Sequence, residues 1–234
     1  MSTYSTLLII HIIVAFSALI CGFLATVLKR RLKQHRLVGN IYYYSMIGVF
    51  LTVIPMYMIK GNAILFFLLI GIFSTYLTLA GKRYLSLNNR PKNIRWYDNV
   101  VIVIALLTGL LMQGYGGYIL FTSGRGFGII LLVFGSVLFL NSLQDLLFLG
   151  KVKRAVKNLK RPVLNHVPRM GGAYIATFTA FTVNNFNGLL PWYISWFAPT
   201  VIGTAFIIMT TRGIRQRHKN RIKNTSVISG VEVA

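Results

Sequence analysis

The sequence predicts an all-α polytopic membrane protein with seven transmembrane helices, on three observations. Hydrophobic residues make up 55% of the 234 residues, charged residues make up only 12%, and the mean hydropathy is +0.65, whereas a soluble domain carries roughly 25% charged residues. The apolar residues fall into seven uncharged runs, and the basic residues lie mainly in alternate connections between these runs. This composition excludes a soluble or disordered chain, and the single Cys21 excludes a disulfide scaffold.

Each of the seven runs has the length of a helix that crosses the hydrocarbon layer, which takes about 20 residues. The predicted transmembrane helices cover residues 6–28, 38–59, 63–80, 100–120, 127–150, 171–189 and 192–211. Breaks at Lys60-Gly61-Asn62 and around Pro191 predict two tight helical hairpins. The chain thus divides into a seven-helix transmembrane domain, residues 1–211, and a basic cytoplasmic tail, residues 212–234.

The distribution of basic residues predicts the orientation of these helices. Only Lys60 and Arg125 follow an even-numbered span, so 23 of the 25 Lys and Arg residues follow spans one, three, five and seven. By the positive-inside rule those connections are cytoplasmic. The sequence therefore predicts an N-terminus outside the membrane and a C-terminus in the cytoplasm.

The formal net charge of +22 has two interpretations. Basic surfaces bind the phosphates of nucleic acids, but here the charges lie between hydrophobic spans, and the sequence has no separate basic domain. We therefore predict no nucleic-acid partner. Attraction to anionic lipid headgroups on the cytoplasmic side follows instead, at about 1 kcal/mol per basic residue near the surface.

Ionisable side chains within the membrane indicate candidate functional positions, because each costs roughly 2.5 to 3.5 kcal/mol to insert. Two histidines and two aspartates are predicted near the cytoplasmic ends of their spans. They are His35, Asp98, Asp145 and His166. Imidazoles and carboxylates at one depth are suitable ligands for zinc or another divalent ion. These four residues are therefore the candidate metal ligands.

The two aspartates also have a structural interpretation as members of ion pairs. Asp98 has Arg95 nearby in the sequence. Asp145 has Arg161 and Arg169 at the predicted start of the following span. Either pair would reduce the cost of burying a carboxylate without any ligand. Interfacial histidines can likewise simply face lipid headgroups.

His11 is predicted about two turns inside the opposite, outer end of span one. It begins a seam of small residues at helical spacing that consists of Ala15, Ala18, Gly22 and Ala25. Such seams favour close packing of helices in membranes. Span six carries a similar seam, formed by Ala173, Thr177, Ala180 and Asn184. If the two seams face each other, His11 contacts Asn184 or Asn185, together with Gln113.

Haem is the second cofactor that this set of histidines allows. A haem with two histidine ligands needs both imidazoles at one depth on facing helices. His35 and His166 meet this requirement, and Pro168 suits the first turn of the helix after His166. His11 lies some 20 Å or more away at 1.5 Å per residue. One b-type haem is allowed and two bis-histidine haems are excluded, so His35 and His166, and separately His11, are the candidate cofactor-binding residues.

Common catalytic motifs are missing from the sequence. It contains no G-x-x-x-x-G-K-[ST], H-E-x-x-H, C-x-x-C or G-x-S-x-G pattern. The glycine-rich runs at residues 114–118 and 123–128 follow no predicted strand, so they are interpreted as flexible outer connectors. No catalytic residue is predicted, and whether the protein is an enzyme stays open.

Three segments, each beginning at or next to a histidine, carry a family resemblance. They are H-I-I-V-A-F-S-A-L-I-C-G from His11, K-Q-H-R-L-V-G-N-I-Y around His35, and H-V-P-R-M-G-G-A-Y-I-A-T-F-T-A-F-T-V-N-N from His166. These segments resemble the DUF2306 family of bacterial membrane proteins over most of the seven spans. The resemblance implies a multi-pass protein of the bacterial inner (plasma) membrane and groups His11, His35, Asp145 and His166 as functional positions. It implies no reaction.

Three functions remain open at the level of sequence. The first is a redox or other cofactor protein in which a metal ion or one haem acts on electrons or on a lipid-soluble substrate such as quinone. The second is a proton-coupled transporter whose path runs between His11 and Asp145. The third is a structural or assembly subunit, which includes the option of an oligomer.

Overall fold

The computed structural model describes residues 2–89, 94–124, 126–153, 162–186 and 188–229. Within these ranges the chain is almost entirely helical, at 94%, and contains no strand. The all-α fold class predicted from the sequence is therefore confirmed for the described residues.

Seven long helices succeed one another along the described chain. They are α1 (Thr3–Val27), α2 (Leu32–Lys60), α3 (Leu65–Asn89), α4 (Trp96–Ser123), α5 (Phe127–Lys153), α6 (Pro162–Asn185) and α7 (Trp192–Ser229). Each predicted span coincides with one of them, and most helices continue beyond the predicted apolar run. The longer helices arise because polar residues near a helix end can stay helical after the hydrophobic run has finished.

Five stretches of the described chain are long and apolar enough to cross a membrane. They are Thr3–Arg30, Leu32–Ser86, Trp96–Ser123, Phe127–Gly150 and Trp192–Arg217. The second stretch contains both α2 and α3, whereas α6 is not among the five. The apolar helices support a multi-pass membrane protein, while seven crossings and their orientation remain predictions.

The turns between helices follow from single residues. Gly61 ends α2 at φ +58°, and Gly124 ends α4 at φ +60°; glycine adopts this left-handed conformation without steric cost. Both hairpins predicted from the sequence are confirmed, since α3 begins at Leu65 and α7 begins directly after Pro191.

We call the end of the bundle that carries Lys29, Lys82 and the start of α2 the basic end.

Helices α4 and α5 form the closest pair in the fold. A Cβ atom on Gly116 would lie 2.8 Å from the carbonyl oxygen of Gly128, and one on Gly109 would lie 2.9 Å from the backbone nitrogen of Phe139. The interpretation of residues 114–118 as a flexible connector is wrong, because these residues lie inside α4. Their glycines allow two helix backbones to approach each other.

Helix α6 lies beside α1, α3 and α7, and it begins earlier than the sequence predicted. It starts at Pro162, so Pro168 lies inside the helix rather than in its first turn. Helix α7 packs closely against α6, while Trp196 near its start contacts aromatic rings of α3 and α5. Helix α7 also continues to Ser229, so the structure has no break at residue 211, the predicted domain boundary.

Candidate cofactor site

Two histidines face each other at the basic end of the bundle. The imidazole ring centroids of His35 on α2 and His166 on α6 are 6.5 Å apart, with their planes at 80°. The Nδ1 atom of His35 lies 2.8 Å from the carbonyl oxygen of Ala25 on α1. The Nδ1 atom of His166 lies 2.8 Å from the carbonyl oxygen of Gly81 on α3. The predicted meeting of these two histidines from distant parts of the chain is therefore present in the structure.

These hydrogen bonds fix the chemical character of both rings. A carbonyl oxygen only accepts, so each Nδ1 carries the hydrogen and donates it. In the neutral imidazole, Nε2 then keeps its lone pair and is the nitrogen available to a metal ion. Ligating histidines in proteins commonly donate their other ring nitrogen to a backbone carbonyl in this way. His35 and His166 thus share the tautomer of a pair of metal ligands.

The separation of the rings is compatible with both histidines holding one group. With metal–nitrogen distances near 2.0 Å, two imidazoles that bind the same ion have centroids about 5 to 6.3 Å apart, and the observed distance is 6.5 Å.

The histidine pair lies in the wall of a large cleft. The cleft has a volume of about 2430 Å³ and is lined by α1, α2, α6 and α7, with the last turns of α3. Its walls are largely apolar, and Tyr42 and Tyr174 contribute aromatic rings. Typical small-molecule pockets measure about 300 to 1,000 Å³, so this cleft is large enough for a large cofactor or a lipid.

Glycine leaves space next to the first histidine. Gly39 lines the cleft one helical turn after His35, and a Cβ atom built on it would meet no other atom within 4 Å. Gly81, whose carbonyl binds His166, lies tightly against α6: a Cβ atom there would lie 2.7 Å from Sδ of Met170. One glycine therefore opens the cleft, and the other brings α3 close enough for its carbonyl to reach His166.

The electrostatic character of the cleft is strongly positive at the basic end. Lys29, Arg36, Lys82 and Arg217 line it. None of the described residues that line it is an aspartate or a glutamate. The cleft therefore combines apolar walls with a cationic mouth, which suits an anionic amphiphilic ligand.

Asp145 lies behind the cleft in a buried polar network. Its carboxylate pairs with Arg169 of α6, with Nη2 at 2.5 Å from Oδ1. The hydroxyl groups of Tyr76 and Tyr84 on α3 donate to the two carboxylate oxygens at 2.5 Å each. Arg169 also donates to the side-chain and backbone oxygens of Asn141. The sequence offered Arg161 and Arg169 as ion-pair partners of Asp145. The structure shows the pair with Arg169, and Arg161 lies outside the described residues.

Asp98 has a different partner from the one that the sequence indicated. Its carboxylate receives Nε of Arg83 at 2.7 Å and Nη2 at 2.6 Å. Arg95 contributes its backbone N–H instead, at 2.8 Å from Oδ2, so Asp98 also caps the start of α4. The expected side-chain pair with Arg95 is replaced because Arg83, at the end of α3, offers a bidentate geometry.

The structure does not bring the four expected metal ligands into one group. Among the described residues, no three His, Cys, Asp or Glu side chains lie close enough to hold a metal ion. Asp145 and Asp98 are held by Arg169 and Arg83. Only the two histidines of the expected set face each other, which is fewer than the three or four protein ligands of a zinc site.

His11 lies apart from this site and has another partner than expected. Its Nδ1 atom is 2.8 Å from the hydroxyl oxygen of Thr52 on α2. That hydroxyl also lies within hydrogen-bond distance of the carbonyl oxygens of Gly48 and Val49. The predicted partners Asn184, Asn185 and Gln113 are therefore replaced by Thr52, and the amide groups of Asn184 and Asn185 bond to carbonyls of their own helix.

Sequence reasoning missed the tyrosines that hold Asp145. Tyr76 and Tyr84 are eight residues apart on α3 and therefore lie on one side of that helix. The spacing of these two tyrosines was the sequence feature that could have indicated a shared hydrogen-bond acceptor. Aromatic residues are common in membrane helices, so this spacing alone did not indicate a carboxylate partner.

Comparison of the chain with protein-family profiles, with curated proteins and with solved structures finds no match. The resemblance to the DUF2306 family therefore stays a prediction, and the site is interpreted from its own geometry.

Proposed function

We propose that the protein is a membrane electron-transfer protein that binds one haem between α2 and α6, which His35 and His166 would hold. One observation carries the proposal: the two imidazoles face each other at 6.5 Å, and both Nδ1 atoms are engaged by backbone carbonyls. This leaves both Nε2 atoms with the lone pairs that iron requires.

The surroundings of the pair fit a haem in size and charge. The propionates of haem are anions, and Arg36 and Lys82 line the cleft directly after His35 and Gly81 in the sequence. Gly39 leaves open space beside His35. The apolar walls of the cleft fit the porphyrin. Arg36 and Lys82 would therefore bind the anionic propionates, and the walls would bind the apolar ring.

The membrane arrangement belongs to the same proposal. Seven crossings, with the N-terminus outside and the C-terminus inside a bacterial plasma membrane, place the histidine pair at the level of the cytoplasmic leaflet. The asymmetry of Lys and Arg supports this orientation. The two histidines would then hold the group within reach of a molecule that moves within the membrane.

A bound haem supplies reversible one-electron transfer at its iron. The protein residues contribute the rest: His35 and His166 fix the orientation of the ligand, and the apolar walls exclude water. The cleft contacts the lipid side of the bundle along α1 and α7, because many of their large side chains are exposed, including Phe23, Ile202 and Phe206. We therefore propose a lipid-soluble electron partner of the quinone class.

Reconstitution with haem tests the proposal. Protein purified in mild detergent should bind about one haem per chain and show the Soret band of a bis-histidine complex. His35→Ala and His166→Ala should each lose this band, because each variant lacks one of the two histidines that would hold the haem. His11→Ala is the matched control and should keep the band, since His11 bonds to Thr52.

Two results would contradict this function. One is a preparation that stays colourless after addition of haem although circular dichroism shows intact helices. The other is a haem band of equal strength in the His35→Ala and His166→Ala variants. The quinone step is tested separately, by following reoxidation of the reduced protein after a soluble quinone is added.

The geometry favours a proton-coupled transporter less. A proton path through Asp145 would need a carboxylate that exchanges protons readily, whereas Asp145 is buried and accepts bonds from Arg169, Tyr76 and Tyr84. This network holds α3, α5 and α6 together, so we assign Asp145 a structural role that supports the haem site.

A further inference from the structure

The geometry points to a binding site for one anionic phospholipid in the cleft between α1 and α7. Its phosphate would lie at the cationic mouth, and its acyl chains would lie along the apolar walls. This site does not rest on the proposed haem, because it uses residues of α1 and α7 rather than the histidine pair.

The charge balance of the protein supports an anionic ligand. The chain contains three acidic residues, Asp98, Asp145 and Glu232, and Glu232 lies outside the described residues. Asp98 and Asp145 are paired with Arg83 and Arg169. Within the described part of the chain, no unpaired carboxylate therefore remains to neutralise the mouth of the cleft, which favours an anionic ligand there.

Lys29 and Arg217 are two of the basic residues that line the cationic mouth. Lys29 follows directly after α1 and Arg217 lies on α7, and both line the cleft. The ammonium group of Lys29 lies 4.8 Å from the ring centroid of Phe206 on α7, so it reaches across the mouth. Cations on both walls of the mouth attract the phosphate of an anionic headgroup.

The walls above the mouth suit acyl chains. The α7 residues that line the cleft run from Ile194 to Arg217, which is about 35 Å at 1.5 Å per residue. A planar cofactor held at the basic end would occupy only one part of it. The acyl chains of a phospholipid cover one leaflet, about half of the roughly 30 Å hydrocarbon layer, and would lie along the apolar surface that includes Phe23, Phe178 and Ile202.

The cleft is also accessible from the bilayer. Helix α7 packs closely against α6, and α1 packs against α2 and α6, but α1 and α7 share no extensive packing among the described residues. The gap between them is lined by Phe23 on one side and by Ile202 and Phe206 on the other. A phospholipid of the surrounding leaflet could enter sideways without leaving the membrane.

Thermal unfolding in mixed micelles tests this site. Added phosphatidylglycerol should raise the midpoint temperature of the wild-type protein more than phosphatidylcholine does. In the double variant Lys29→Gln and Arg217→Gln, affinity for phosphatidylglycerol should fall roughly 30-fold, from the loss of two basic residues near the headgroup. The control Lys33→Gln removes an exposed charge that does not line the cleft and should change the affinity far less.

A second pair of variants tests the apolar part of the cleft. Gly213 lines the cleft, and a Cβ atom there would meet only Arg217 within 4 Å, at 3.8 Å. Gly213→Leu should therefore fold and should reduce the phospholipid retained after purification. Gly114→Leu is the matched control, since Gly114 lies exposed on α4 with no atom within 4 Å of a Cβ position and does not line the cleft.

Three results would overturn this inference. They are equal stabilisation by both lipids, unchanged affinity in the Lys29→Gln and Arg217→Gln variant, and retention of a quinone in place of phospholipid. Measurements on protein with and without haem separate the two proposals. Selective binding of phosphatidylglycerol without a Soret band supports the lipid site and contradicts the proposed function.

Discussion

At the scale of single residues, the two acidic side chains within the described bundle differ in how far their partners are buried. The side chains of Asp145 and Arg169 are 6% and 7% exposed, whereas the side chain of Arg83, the partner of Asp98, is 21% exposed. Removing one member of a buried pair leaves an uncompensated charge away from water, which costs far more than breaking a partly solvated pair.

Asp145→Asn should therefore lower the free energy of unfolding by about 3 to 5 kcal/mol. Asp98→Asn should lower it by only about 1 to 2 kcal/mol, through the loss of a partly exposed ion pair and a helix cap. Chemical unfolding in detergent measures both. The combined variant Asp145→Leu and Arg169→Leu removes both charges and should be more stable than Asp145→Asn; if it is not, the cost does not come from an unpaired charge.

At the scale of the helices, α4 and α5 depend on glycine for their contact. Gly109 and Gly116 on α4 and Gly128 and Gly135 on α5 all lie where a Cβ atom would meet backbone atoms of the other helix. Without a hydrophobic driving force between helices in lipid, close packing of this kind supplies much of the attraction. The turn at Gly124 joins the two helices into one hairpin.

Gly116→Ala should push α4 and α5 apart and destabilise the protein by about 1 to 3 kcal/mol, as overpacking does in other cores. The matched control is Gly117→Ala on the same helix, where no atom lies within 4 Å of the Cβ position. That variant should be neutral or slightly stabilising, because alanine favours the helix. Equal loss of stability in both variants, measured by thermal unfolding, would show that the backbone contact is unimportant.

At the scale of the whole molecule, the basic end collects the histidine pair, the cationic mouth of the cleft and both ion pairs. The opposite end carries the hairpin turns at Gly61 and Gly124. If the basic end is cytoplasmic, as the positive-inside rule indicates, every candidate functional group except His11 lies on the inner side of the membrane.

Cysteine labelling of intact cells tests this orientation. In a Cys21→Ser background, Asn62→Cys lies between α2 and α3, and Asn220→Cys lies near the end of α7. A membrane-impermeant maleimide should label Asn62→Cys in intact cells and Asn220→Cys only after permeabilisation. The reverse pattern would show that the basic end faces outward.

Local sequence patterns were sufficient for the helices but not for the contacts between them. The positions of α1 to α7 follow from uncharged runs and from glycine at the turns, which are properties of neighbouring residues. The partner of His11 was predicted on α6 and lies on α2, because two small-residue seams do not specify which helices meet. Arg83 was likewise not predicted as the partner of Asp98, since the two lie in different helices.

The sequence by itself determined a helical chain whose apolar runs are typical of a multi-pass membrane protein, and it predicted His35 and His166 at one level, because hydrophobic length and charge placement act along the chain. Only the tertiary structure decided that His35 and His166 share one cleft with their Nδ1 atoms engaged, and that Asp145 belongs to Arg169 and two tyrosines instead of to a metal site. The physical reason is that a ligand set requires distances of a few ångströms between distant segments, and such distances arise only when the helices pack.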